Sequence, residues 1–217
     1  MKIQNVTEFQ NHEFMINLKN EKDSLYEIYK NSINWEIRNE IIEMFKQDQA
    51  IRKRYYETFL FKRIKIGLEW EKLNKKQVER IIEITKEYGF PGEKLIGIDT
   101  KKMHQKIMNS NISAGMPIVI FIHHFSQPNV SYDSILYEQI KTGFLYNEHF
   151  ATICDFEVKF GKSKYENYGC FAFKYRPKRI NKTEINKRRE SIGMLSIEEY
   201  QKLNTTKSIT KFWYRLY

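Results

Sequence analysis

The sequence predicts an α+β fold: a single, mostly helical domain with one β-hairpin, about residues 155–175, packed on the helices. Two observations carry this. From residue 23 to 154 the apolar residues recur at helical spacing between capping residues. At Asp155 the pattern switches to strict alternation, with Phe156, Val158 and Phe160 on one side and Asp155, Glu157 and Lys159 on the other.

The elements follow in order. Asp23 is placed to cap a short helix through Ile33, with Leu25, Ile28 and Tyr29 on its inner side. Asn34 starts a longer helix, WEIRNEIIEMFKQDQAIRKRYYETFLFKRI, whose Ile37, Ile41, Met44, Phe45, Ile51 and Tyr55 fall near one face. Asn74 caps the next, NKKQVERIIEITKEYGFPG, which Gly89 and Pro91 end. Another helix is expected over Thr100–Met108. The apolar run that ends in His123-His124 suits a buried strand or a buried helix; Pro117, acceptable in a first helical turn, favours helix. Ser131–Lys141 reads as helix ending at Gly143, and Asn147 caps a short EHFATIC helix. The hairpin then takes Asp155–Phe160 and Tyr168–Tyr175 as its strands, joined by a turn over Gly161–Lys164. INKRRESIGM is a short helix stopped by Gly193, and Ser196 with Glu199 forms a capping box for a last one. The aromatic tail ITKFWYRLY is expected to dock as a strand. One domain spans 1–217, with a helical extension over 1–34, a core over 35–200 and a tail over 201–217.

Composition narrows the function. A chain 41% hydrophobic and 15% aromatic, with 4 Pro and 9 Gly, has the material for a packed core and no linker-like stretch. Its longest apolar run, Met116–Phe121, is far short of the ~20 residues that cross a bilayer, so no membrane partner is expected. The opening MKIQNVTEFQNHEF lacks the apolar centre of a secretory signal. Cys154 and Cys170 read as free thiols of a reducing compartment, and the expected location is the cytoplasm. The net charge of +10 is spread along the chain apart from KYRPKRINKTEINKRR, Lys174–Arg189. That segment is the candidate contact for an acidic protein or RNA, against the plainer reading of a solvated basic surface. There is no His-Glu-x-x-His, Cys-x-x-Cys or His-x-His, and no Walker, Gly-x-Gly-x-x-Gly or Gly-x-Ser-x-Gly loop. Neither a metal nor a cofactor is therefore expected.

Six short motifs share an order: DQAIR (Asp48, Gln49, Arg52), GFP (89–91), HH (123–124), ATICDF (151–156), ENYGCF (166–171) and RESIGM (189–194). In that order they resemble a bacterial family, domain-of-unknown-function family 6624, over roughly residues 35–200. The family pattern has Gln where this chain has His123, Arg at Phe156, Gln at Glu166 and Thr-Gln at Cys170-Phe171. The resemblance matches the family histidine to His124 and carries no established chemistry.

Adjacent residues lie about 100° apart on a helix or on opposite faces of a strand, so His123 and His124 do not readily share one compact site. His124 is the candidate acid–base residue, with Asp155 to orient it and Tyr168 beside it as a third catalytic group. Asp48, Gln49, Arg52 and Glu166 are the candidate substrate-binding residues; Asp48 and Arg52, at i and i+4, share a helix face. The plainer readings are a hydrogen-bonded core histidine and an Asp155 that accepts backbone N–H bonds. Two functions remain open: a hydrolase or transferase acting on a small polar or anionic substrate, or a non-catalytic binding protein that meets an acidic protein or RNA.

Overall fold

The computed structural model describes residues 13–97, 115–124, 132–159, 168–170 and 181–205. Over these the chain is helical: α1 Glu13–Ser32, α2 Trp35–Glu57, α3 Leu60–Tyr88, α4 Glu93–Ile96, α5 Met116–His123, α6 Asp133–Lys141, α7 Asn147–Lys159, α8 Lys182–Ser191 and α9 Ile197–Thr205. The long helices α2 and α3 pack on each other, α5 packs on both, α7 packs on α5, and α6 packs on α7 and α3. One core forms where they meet. It includes Ile41 of α2, Val78, Ile81 and Ile84 of α3, Phe90 just beyond α3, Ile96 of α4, Met116 and Ile120 of α5, Leu136 of α6 and Phe150 and Ala151 of α7.

The expected hairpin is overturned: no strand is present among the described residues, and its first strand is the last turn of α7. Once Asn147 has started that helix, extending it through Cys154 carries no new nucleation cost, and Glu157 and Lys159 are good helix formers. Phe150, Ala151, half-buried Cys154 and Asp155 make an i, i+1, i+4, i+5 stripe that faces inward. The alternation misled because it set Asp155 on the solvent side, whereas Asp155 is fully buried. Of the second strand, residues 168–170 are described and are not a strand. The remainder lies outside the described residues, as do the expected helix at Thr100–Met108 and the tail strand.

Other boundaries shift for identifiable reasons. Helix α1 begins ten residues before Asp23, and Leu25 and Ile28 are exposed while Tyr26 and Tyr29 are half-buried. The long helix from Asn34, whose side chain accepts from the Ile37 N–H at 3.1 Å, stops at Glu57. The break falls at Thr58, in extended backbone, and Arg63 seals it by donating Nε to the Thr58 carbonyl at 2.8 Å and Nη2 to that of Tyr56 at 3.0 Å. Asn74 caps nothing: it sits in the middle of α3, whose 29 residues run straight through it. At the end of α3, Gly89 takes φ 94°, and a Cβ there would come within 2.5 Å of the Phe144 ring. Any larger residue is therefore excluded by both backbone and neighbour. The capping box at the start of α9 forms, with the Ser196 N–H donating to Glu199 Oε2 at 2.9 Å and the Glu199 N–H to Ser196 Oγ at 3.2 Å.

Candidate functional site: a buried Asp–His–Arg array on an aromatic cleft

Helix α5 decides which histidine meets which partner. His123 is its last residue and turns towards α2; His124, just past the end with its N–H on the Phe121 carbonyl, turns towards α3. His123 Nδ1 lies 2.9 and 3.1 Å from the two carboxylate oxygens of Asp48, and its Nε2 lies 2.8 Å from Arg52 Nη1. A guanidinium only donates, so Nε2 is the acceptor and Nδ1 carries the proton given to Asp48. The two partners thus select the Nδ1–H tautomer. Asp48 is fully buried and also accepts from Gln49 Nε2 at 2.8 Å and Trp70 Nε1 at 3.3 Å. With three side-chain donors on it, a carboxylate is tolerable in a core where a bare one is not.

The Trp70 ring meets His123 edge to face at 5.9 Å and Tyr55 at 5.6 Å, and Tyr55 in turn meets Tyr56. Tyr55, Tyr56, Trp70, Glu71, Asn74 and His123 line a cleft of about 260 Å³ between the end of α2 and the first half of α3. Arg52 lies against the Tyr56 ring at 6.0 Å and Arg63 against Tyr55 at 5.8 Å, so the aromatic wall carries two guanidinium groups. One turn deeper, Asn74 links α3 to α5. Its Nδ2 donates to the Ile120 carbonyl at 2.9 Å, which leaves Oδ1 to accept from His124 Nδ1 at 2.8 Å.

The expected set is therefore divided. Asp48, Gln49 and Arg52 come together, but around His123; His124 meets Asn74. Asp155 and Tyr168 form a second group at the end of α7. Both Asp155 oxygens accept from the Tyr168 N–H at 3.0 Å, and Oδ2 accepts from the Cys170 N–H at 3.0 Å. Between those amides Gly169, at φ 70°, turns the chain so that both point at one carboxylate, a backbone nest for an anion. Arg189 fastens the far edge, donating Nη1 to the Tyr168 carbonyl at 2.9 Å and Nε to that of Leu195. Among the described residues, the buried carboxylate thus holds backbone and meets no histidine. Burial, reinforced by Cys154, Asp133 and Asp155, pushes the Tyr168 phenol up to about 12, and burial followed by the Asp133 and Asp155 carboxylates pushes the Cys154 thiol up. Neither group is prepared as a base or nucleophile near neutral pH. Glu166 lies outside the described residues.

The residues the sequence did not single out for function are Trp70, Asn74, Tyr55 and Tyr56. Their signal was the unusual make-up of the α3 inner face, where a tryptophan, an asparagine and a glutamine at 70, 74 and 77 interrupt the aliphatic stripe. Part of the basic segment also changes meaning. Arg189 is 3% exposed and committed to carbonyls, while Lys182 pairs with Glu198 at 3.4 Å and Lys187 with Glu184 at 3.5 Å. Residues 174–180 lie outside the described residues. Among the described residues, no three His, Cys, Asp or Glu side chains cluster as a metal ion requires, and no helix is long and apolar enough to cross a membrane. No family model, curated protein or solved structure matches the chain.

Proposed function

We propose that the chain is an enzyme of hydrolase or transferase type that takes a small anionic substrate into the aromatic cleft. In this reading Asp48 and His123 act as an acid–base pair and Arg52 as the anion anchor. The observation that supports it is the array itself: a fully buried carboxylate fixes one imidazole nitrogen, while the other, on the wall of a cleft, meets a guanidinium. A carboxylate behind a histidine orients the ring and stabilises the imidazolium that forms on proton uptake. The planar fork of Arg52 matches a carboxylate or phosphate in two-pronged fashion. A substrate anion that draws Arg52 from Nε2 uncovers the lone pair needed to accept a proton from an attacking hydroxyl or water. Tyr55, Tyr56 and Trp70 supply stacking faces for whatever planar or apolar part accompanies the anion.

A second reading has its own observation. Asp48 and both ring nitrogens of His123 are satisfied within the protein, as in a polar network that fastens α2, α3 and α5 in a non-catalytic binding domain. Thermal melts with inorganic phosphate as the probe separate the two. An anion site stabilises the folded chain by about 2.7 kcal/mol at a hundredfold excess over its dissociation constant, and Arg52→Ala removes the gain. The enzyme reading expects a phosphate-dependent rise in melting temperature in the wild type that is absent in Arg52→Ala and kept in His124→Ala. No rise at any phosphate concentration, with His123→Ala merely lowering the melting temperature, supports the network reading.

A further inference from the structure

We propose that the corner between α2 and α3 docks the protein onto an anionic membrane surface. Phe59 is 80% exposed, Leu60 71%, Phe61 90%, Ile64 73% and Leu68 63%. On α3, whose inward stripe runs through Ile66, Trp70 and Asn74, Leu60 and Ile64 stack one turn apart, and Phe61 and Leu68 form the strip beside them. The first third of this helix thus carries a second apolar face, turned to water and about 12 Å long. Between residues 52 and 66 stand six basic residues and one acidic. Among them Lys53, Arg54, Lys62 and Lys65 are exposed; Lys53 pairs with Glu57 at 3.9 Å and Arg54 with Glu69, so Lys62 and Lys65 carry most of the surface charge offered to lipid.

The start of α3 also goes against local preference. Its cap is Phe59, which makes no side-chain cap hydrogen bond, and its first turn has no acidic residue but carries Lys62 next to Arg63. In water that arrangement opposes the helix dipole, and rules broken together in one place mark a site whose function lies elsewhere.

The exposure and the charge select the partner. The apolar side chains stand 63–90% exposed to water, which suits a soft surface that accepts inserted side chains. The ring of lysine and arginine around them suits lipid phosphates, and their long stems let the ammonium groups stay at headgroup level. A second copy of the chain would bring the same basic ring against itself, on a molecule whose net charge is +10. Lying on a bilayer needs no spanning helix, so the absence of one among the described residues does not bear on it.

Flotation of the full chain with vesicles of phosphatidylcholine, with and without phosphatidylglycerol, tests the proposal. The chain is expected to float with the anionic vesicles, to float at least tenfold less with the neutral ones, and to be released as salt rises and the screening length falls from ~10 Å to ~3 Å. Lys62→Glu with Lys65→Glu should lower anionic-vesicle binding by about tenfold or more, since each lysine near such a surface contributes close to a factor of five. Phe59→Asp with Phe61→Asp should abolish it at unchanged or raised melting temperature, because aspartate is a better cap and first-turn residue than phenylalanine. No flotation with anionic vesicles, or flotation that survives the double aspartate variant, overturns the proposal. So does a result in which that variant alters only the sedimentation of the protein alone, which would make the corner a protein-contact surface.

Discussion

Asp48→Ala is expected to be strongly destabilising, costing about 3–5 kcal/mol in denaturant unfolding, because three buried or half-buried donors lose their acceptor at ~1–3 kcal/mol each. The carboxylate is fully buried and is the common acceptor for His123 Nδ1, Trp70 Nε1 and Gln49 Nε2. Alanine leaves those donors without their acceptor, and the His123 ring loses the contact that sets its tautomer. For a chain of this length, with about 2–4 °C lost per kcal/mol, the melting temperature should fall by roughly 10 °C. Asp48→Asn keeps the shape and one acceptor oxygen but presents an amide N–H₂ where a donor already stands, so it should lose less, with the His123 geometry still disturbed. Equal stability of wild type and Asp48→Ala in urea would mean that the array does not hold these helices together.

Asp155→Ala is expected to cost about 2–4 kcal/mol, by a different route. Here the lost partners are the backbone amides of Tyr168 and Cys170, which the carboxylate gathers into one turn. Hydrogen exchange is the direct readout: both amides should lose protection in the variant, while amides in the middle of α3 keep theirs at mild denaturant. Gly169→Ala should produce the same local signature with the carboxylate intact, because alanine is strained at φ 70° and its Cβ would press on Ile185 and Ile197 at 3.3 Å. If neither variant alters exchange at 168 and 170, the nest is not what keeps Asp155 buried.

These two aspartates also show where the sequence was legible. The helix start at Asn34 could be read because a short polar side chain preceding an apolar repeat has a local meaning, and it accepts the amide three residues on. The cap at Asn181 stands ahead of a strongly polar helix and escapes that pattern, so the sequence reading begins that helix at Ile185. The same chemistry misleads when its partner is distant. Asn74 has the features of a cap, yet its amide serves a carbonyl 46 residues away and a histidine 50 residues away. Asp155 has the features of a solvent-facing strand residue, yet its donors lie 13 and 15 residues on, across a turn that only Gly169 hints at. Asp48 and Arg52 were legible as a pair because i and i+4 share a face whatever the tertiary fold. The choice between His123 and His124 depends on the roll of α5 about its own axis. That roll is set by packing of Met116, Ile120 and Phe121 against the core, and no local pattern reports it.

We propose that His123 is a held histidine, with Nδ1–H on Asp48 and a lone pair at Nε2 that Arg52 covers until an anion arrives. Nitrogen-15 NMR of the imidazole rings, recorded while inorganic phosphate is added, tests it directly. The expected spectrum of the free chain has His123 protonated at Nδ1 and unprotonated at Nε2, and the Nε2 signal moves saturably with phosphate in the wild type but not in Arg52→Ala. A proton on Nε2 in the free chain, or a His123 signal indifferent to phosphate at every concentration, would contradict it.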